Sequence, residues 1–97
     1  MPGGVSDELL ERFSLSQNYP NPFNPETEIV FTLPRESSVR LEVFNLLGEV
    51  VGTVYEGRLG AGTHSCNWNG GDLGSGVYLY RLTAGAFVES KKMLLLK

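Results

Sequence analysis

The chain is poor in the residues that most chemistry requires. It has one cysteine, Cys66, so it can form neither an internal disulfide nor a thiolate metal cluster. It has one histidine, His64. It has no basic excess: 8 Lys and Arg stand against 11 Asp and Glu, a net charge of −3. Neutralising nucleic-acid phosphates takes clustered cations, so no nucleic-acid partner is expected. Apolar runs such as Met93-Leu94-Leu95-Leu96 fall far short of the roughly 20 residues that span a bilayer, which argues against direct membrane insertion. Met1-Pro2-Gly3-Gly4-Val5 lacks the basic and apolar regions of a secretory signal peptide, so an export signal, if there is one, is expected elsewhere.

What is present is one domain with the punctuation of a β protein. Ninety-seven residues hold a single core, and 41% hydrophobic against 20% charged residues argues against intrinsic disorder. Twelve glycines and five prolines break the chain into short segments. Thr27–Leu33 alternates with Ile29, Phe31 and Leu33 on one face, and Ser38–Val43 with Val39, Leu41 and Val43 on one face. Asn45-Leu46-Leu47-Gly48 reads as a turn. Strands follow at Val50–Tyr55, Thr63–Trp68, Val77–Ala84 and Phe87–Lys97, with Glu56–Gly62 read as a glycine-bearing loop. Six or seven short strands at this spacing predict an antiparallel sandwich. Residues 1–12 read as a linker or remnant with a possible short helix at Ser6-Asp7-Glu8, and residues 13–97 as the domain.

Candidate chemistry is sparse. His64 and Cys66 share a strand face beside Trp68, which reads as packing and not as a nucleophile pair. The carboxylates Glu28, Glu42 and Glu89 fall on expected outward positions and make no acid–base pair. Asn67-Trp68-Asn69-Gly70-Gly71-Asp72 has oxygens that suit calcium, but its spacing is that of a turn and not of an EF-hand, so no metal or cofactor is expected. Trp68, Tyr19, Tyr55, Tyr78 and Tyr80 raise a glycan-binding alternative, against which stands their use as core.

Asn18-Tyr19-Pro20-Asn21-Pro22-Phe23-Asn24-Pro25 is the most unusual stretch. Its prolines fix φ, remove backbone donors and extend the residues before them, so it reads as an irregular lead-in whose Phe23 plugs the end of the core. Together with Leu15-Ser16-Gln17, Val39–Gly48, Ala61-Gly62-Thr63-His64, Trp68-Asn69-Gly70, Ser75-Gly76-Val77-Tyr78 and the ending Lys91-Lys92-Met93-Leu94-Leu95-Leu96-Lys97, this block resembles the type A C-terminal sorting domain of the type IX secretion system. The resemblance covers Phe13–Lys97. It is also similar to the immunoglobulin-like domain of flagellar hook-capping proteins, from which the lysine-bounded ending departs.

The resemblance implies an all-β, immunoglobulin-like sandwich of about seven strands. It implies a non-catalytic address, not an enzyme, that takes an upstream passenger through the periplasm to the cell surface or medium. The implied partners are the passenger, the type IX machinery and its sortase-like surface peptidase. Lys91, Lys92, Met93, Leu94, Leu95, Leu96 and Lys97 are the candidate recognition residues, and Pro20, Asn21, Pro22, Phe23, Gly76 and Tyr78 the structural family motif. A final edge strand is expected to offer unpaired backbone groups for strand addition. Deleting Met93–Lys97 is expected to abolish export and leave some folding. The absence of a passenger reads as an excised or processed piece. The alternative function is a structural or adhesive immunoglobulin-like module.

Overall fold

Alternation decides which side of each strand is buried, and here it builds two sheets face to face. A computed structural model describes residues 12–97. Seven strands run in order: β1 (Ser14–Leu15), β2 (Glu26–Leu33), β3 (Ser37–Phe44), β4 (Val50–Leu59), β5 (Gly62–Asn69), β6 (Gly76–Ala84) and β7 (Phe87–Leu95). The smaller sheet has the order β1-β2-β5 and the larger β4-β3-β6-β7, with antiparallel strand pairs. This is the expected all-β, immunoglobulin-like sandwich. The helix considered at Ser6-Asp7-Glu8 lies outside the described residues.

The core takes the inward residues of both sheets. Ile29, Phe31 and Leu33 of β2 meet Val39, Leu41 and Val43 of β3, Tyr80, Leu82 and Ala84 of β6, and Met93 and Leu95 of β7. Fully burying each large apolar side chain contributes about 1.5–3 kcal/mol before the chain-entropy cost. Phe23 closes one end of this core and is buried. Trp68 packs beside it with ring centroids 6.1 Å apart.

The sequence readings of Glu56–Gly62 and of Glu89 are corrected here. The chain from Glu56 to Leu59 is strand and not loop, because β4 continues opposite β3 through Ser37↔Leu59. Gly57 eases this: its φ of 154° is one that residues with a Cβ rarely adopt, and a Cβ there would lie 3.1 Å from the Tyr55 hydroxyl. Strict alternation also fails in β4. Register shifts opposite Leu41/Glu42 and Val43/Phe44 insert extra residues, which lets Val51 and Val54 both pack against the core although they are three apart. Glu89, expected outward, shares the inward side of β7 with Phe87 and Met93 and pairs with Lys91 at 3.4 Å. Inward charges on an edge strand discourage sheet-to-sheet aggregation.

Candidate functional site

β7 pairs with β6 along its whole length, from Gly76↔Leu95 to Ala84↔Phe87. Its alternation divides the predicted recognition residues between two faces. Met93 and Leu95 point into the core and are buried, 1% and 0% exposed. Lys91 lies on the same side, held by Glu89. Lys92, Leu94 and Leu96 continue along the outer side: Lys92 and Leu96 are exposed and Leu94 half-buried. Lys97 reaches back over the glycine loop. Its Nζ donates to the carbonyls of Gly71 and Leu73, and its N–H donates to Ser75 Oγ at 2.8 Å. The seven residues are contiguous but do not form one surface.

The free edge of β7 is not open where strand addition was expected. Leu94 accepts from Phe23 N–H at 2.9 Å, and its own N–H donates to Asn21 Oδ1 at 2.9 Å. Leu96 N–H donates to the Phe23 carbonyl at 3.0 Å, and the Lys92 carbonyl accepts from Gln17 Nε2 at 2.6 Å. Pro20 and Pro22 have no N–H, so the block cannot run as a full ladder strand. Side chains of Gln17 and Asn21 supply the missing groups. By strand alternation the outward backbone groups of Val88 and Ser90 lie beyond this cover.

The clamp is seated by Asn18 and Thr27, to which the sequence analysis assigns no role, and by Tyr80, read there as a core or glycan-binding ring. Asn18 is buried at 2% exposure; its Nδ2 donates to Thr27 Oγ1 at 2.9 Å and to the Pro20 carbonyl at 3.1 Å. Thr27 Oγ1 donates to the same carbonyl at 2.9 Å. Tyr80 anchors the other side: its hydroxyl donates to Ser16 O at 2.6 Å and accepts from Asn18 N–H at 2.8 Å. The legible signal was polar residues on otherwise apolar strand faces, Thr27 on β2 above all. Of the remaining motif residues, Pro20, Asn21 and Pro22 are exposed on the clamp. Gly76 opens β6, and Tyr78 ties its hydroxyl to the Gly74 carbonyl at 2.7 Å.

The other candidates are packing. His64 sits 5.6 Å from the Phe31 ring, and its Nε2 is 2.7 Å from the Gly60 carbonyl. Cys66 is half-buried, and burial pushes its thiol above the usual range, away from nucleophile activation. Asn69 Oδ1 accepts from Gly71 N–H at 2.7 Å, so the suspected calcium oxygen closes a turn instead. No group of three or more His, Cys, Asp or Glu with metal-binding geometry occurs among the described residues. The Trp68 indole lies on Gly52, where a Cβ would stand 3.2 Å from it. Of the tyrosines only Tyr19 is an exposed ring, at 78%. A glycan platform of several coplanar rings is therefore not built here.

Comparison with known proteins places this geometry. Residues 17–96 match the family described as secretion system C-terminal sorting domain. A comparison with curated protein sequences finds no match. The fold is similar to part of the dimeric latent PorU of Porphyromonas gingivalis, with TM-score 0.69 and 18% identity over 88% of this chain and 9% of that one. It is also similar to part of PorZ, an essential surface component of the type IX secretion system of the same bacterium, with TM-score 0.53 and 19% identity over 97% of this chain and 12% of that one. The chain thus spans about a tenth of either protein, and the likeness is one of fold.

Proposed function

The chain belongs to the secretion system C-terminal sorting domain family and is a type IX sorting signal, and from that premise we propose how it acts on a passenger. The family is a non-catalytic signal for secretion to the cell surface or the extracellular space. In our reading, a passenger precedes Arg12 and crosses the periplasm with this domain already folded behind it. The type IX machinery then engages the domain near the end of β7 and carries both across the outer membrane. A sortase-like surface peptidase completes the route by cutting ahead of the clamp, within or before residues 1–12. The domain itself performs no catalysis and needs no cofactor.

The observation that carries this reading is the family match over residues 17–96, which includes both the clamp and the strand it covers. The structure adds a physical reason for coupling the two. The segment nearest the passenger is hydrogen-bonded to Lys92, Leu94 and Leu96, so a folded entry segment and an ordered tail form together.

An export assay tests it. Residues 1–97 are fused behind a fluorescent reporter that carries a signal peptide, in a bacterium with type IX machinery. Surface or medium fluorescence that depends on the domain supports an address. Periplasmic retention of the fusion with the domain folded would leave a structural or adhesive module as the better reading.

A further inference from the structure

The two outer faces of the sandwich differ. On the smaller sheet the outward residues are mostly polar: Glu26, Glu28 and Thr32 of β2 against Thr63, Ser65, Asn67 and Asn69 of β5. On the larger sheet, the half built from Arg40, Glu56 and Thr83 is also polar, and Arg40 pairs with Glu56 at 3.3 Å. The opposite half is not. There the register sets Val50 against Phe44, Phe44 against Leu79, and Val77 against Leu94, with Leu96 continuing the same side. Phe44 is roofed by Arg81, whose guanidinium carbon stands 4.3 Å from the ring centre. Val50, Val77 and Leu96 remain 52%, 39% and 49% exposed. The turn after β3 adds Leu46 and Leu47 at the same end, 67% and 83% exposed.

Nothing in the fold requires this corner to be apolar. The core is closed on the other side of the same strands, and edge strands are normally protected by charge. The corner carries an unpaired cation on a domain of net charge −3, while Glu42 stands opposite Arg81 one step further along the same face. Lys92 stands opposite Leu79 on the outer side, and no carboxylate lies within ion-pair distance of it among the described residues. Lys97 spends its ammonium on carbonyls and not on a carboxylate. Glu49, the carboxylate of the nearby turn, is held by Asn45 Nδ2 at 2.7 Å. The clamp closes the backbone edge of the same segment, so side chains are what this end of β7 presents.

We propose that the outer corner formed by Val50, Leu79, Val77, Leu94 and Leu96 is the docking surface for the secretion machinery, taking a protein face with an apolar centre and a carboxylate opposite Lys92. The inference rests on the sorting reading above and locates where the signal is read. Docking buries the leucines and valines of the corner, and Lys92 sets orientation. The β7 edge need not be opened, so the folded domain is the recognised form.

The export fusion supplies the test, with the full chain in each variant and its thermal melt measured in parallel. Val77→Glu with Leu96→Glu places charge at two exposed positions of the corner and is expected to lower export about tenfold or more while the domain stays folded. Lys92→Glu, at an exposed side chain outside every ion pair, is expected to lower export severalfold without moving the melt. Val88→Glu is the control: it lies on the same strand and outer side, 56% exposed, at the polar end, and is expected to export normally. If the parent is exported and both Lys92→Glu and the folded double variant export equally well, the corner is overturned and the sorting reading stands. Failure of the parent itself would overturn the sorting reading, and with it this inference. Were the double variant to unfold, Lys92→Glu alone decides: normal export removes the proposal.

Discussion

The Tyr80 hydroxyl donates to the Ser16 carbonyl at 2.6 Å, joining residues 64 apart in sequence. It also accepts from Asn18 N–H at 2.8 Å, so one buried side chain fixes the entry to the proline block. Burial pushes the Tyr80 phenol up to about 12; the Asn18 N–H opposes this and the Glu89 charge adds to it. The folded state therefore holds a proton that the unfolded chain gives up near its ordinary value of 10.0. The resulting stability is complete below pH 10 and is lost as pH rises towards 12. Tyr80→Phe should lose about 1–3 kcal/mol at neutral pH, because Ser16 O and Asn18 N–H are left unpaired. Urea unfolding from pH 8 to pH 11.5 checks both: the variant should lose the part of the alkaline decline that belongs to Tyr80.

The strand faces were legible because period-two patterns are local. Ile29-Phe31-Leu33 and Val39-Leu41-Val43 carry their burial in the sequence, and the structure buries all six. The extension of β4 to Leu59 was not legible. It goes with the φ of 154° at Gly57 and with register shifts that only the partner strand β3 defines. The clamp was half legible. Prolines announce an irregular extended segment, but its target is set by a parallel contact between Phe23 and Leu95, which no local pattern encodes. The ending drew attention as a unit, whereas alternation sends Met93 and Leu95 inward and Leu94 and Leu96 outward.

Asn21→Ala should loosen the clamp without unfolding the domain. Asn21 Oδ1 is the acceptor for Leu94 N–H, and the site is exposed, so water replaces part of the bond. A cost of about 0.5–1.5 kcal/mol follows. Amide exchange at Leu94 should accelerate, while the amide of Met93, on the β6 side of the strand, keeps its protection. Unchanged exchange at Leu94 would mean that Phe23 alone holds the edge closed.

Gly52→Val should strain the flank of the sandwich. A Cβ at Gly52 would stand 3.2 Å from the Trp68 indole, and valine adds two further methyl groups. Overpacking of this kind costs about 1–3 kcal/mol. The chain has a single tryptophan, so its fluorescence reports the site directly. A lower midpoint in urea with a red-shifted folded-state emission is expected; an unshifted spectrum would show that the indole does not rest on this glycine.

Two deletions separate the tail as structure from the tail as signal. Removing Met93–Lys97 takes Met93 and Leu95 out of the core, and with them the strand opposite Gly76–Tyr78. Each buried side chain contributes about 1.5–3 kcal/mol, against a total stability of about 5–15 kcal/mol for a domain of this kind. That truncation should unfold the protein, so its loss of export says nothing about recognition. Removing only Leu96 and Lys97 leaves every core side chain in place and gives up the Leu96 N–H bond to Phe23 and the Lys97 bonds to the glycine loop. The thermal midpoint should fall by no more than several degrees. Export should nevertheless drop sharply, because the exposed leucine and lysine are gone while the fold remains. Full export from this folded, two-residue deletion would move the recognised surface away from the end of the chain, to the turn at Leu46 and Leu47 and the start of β6.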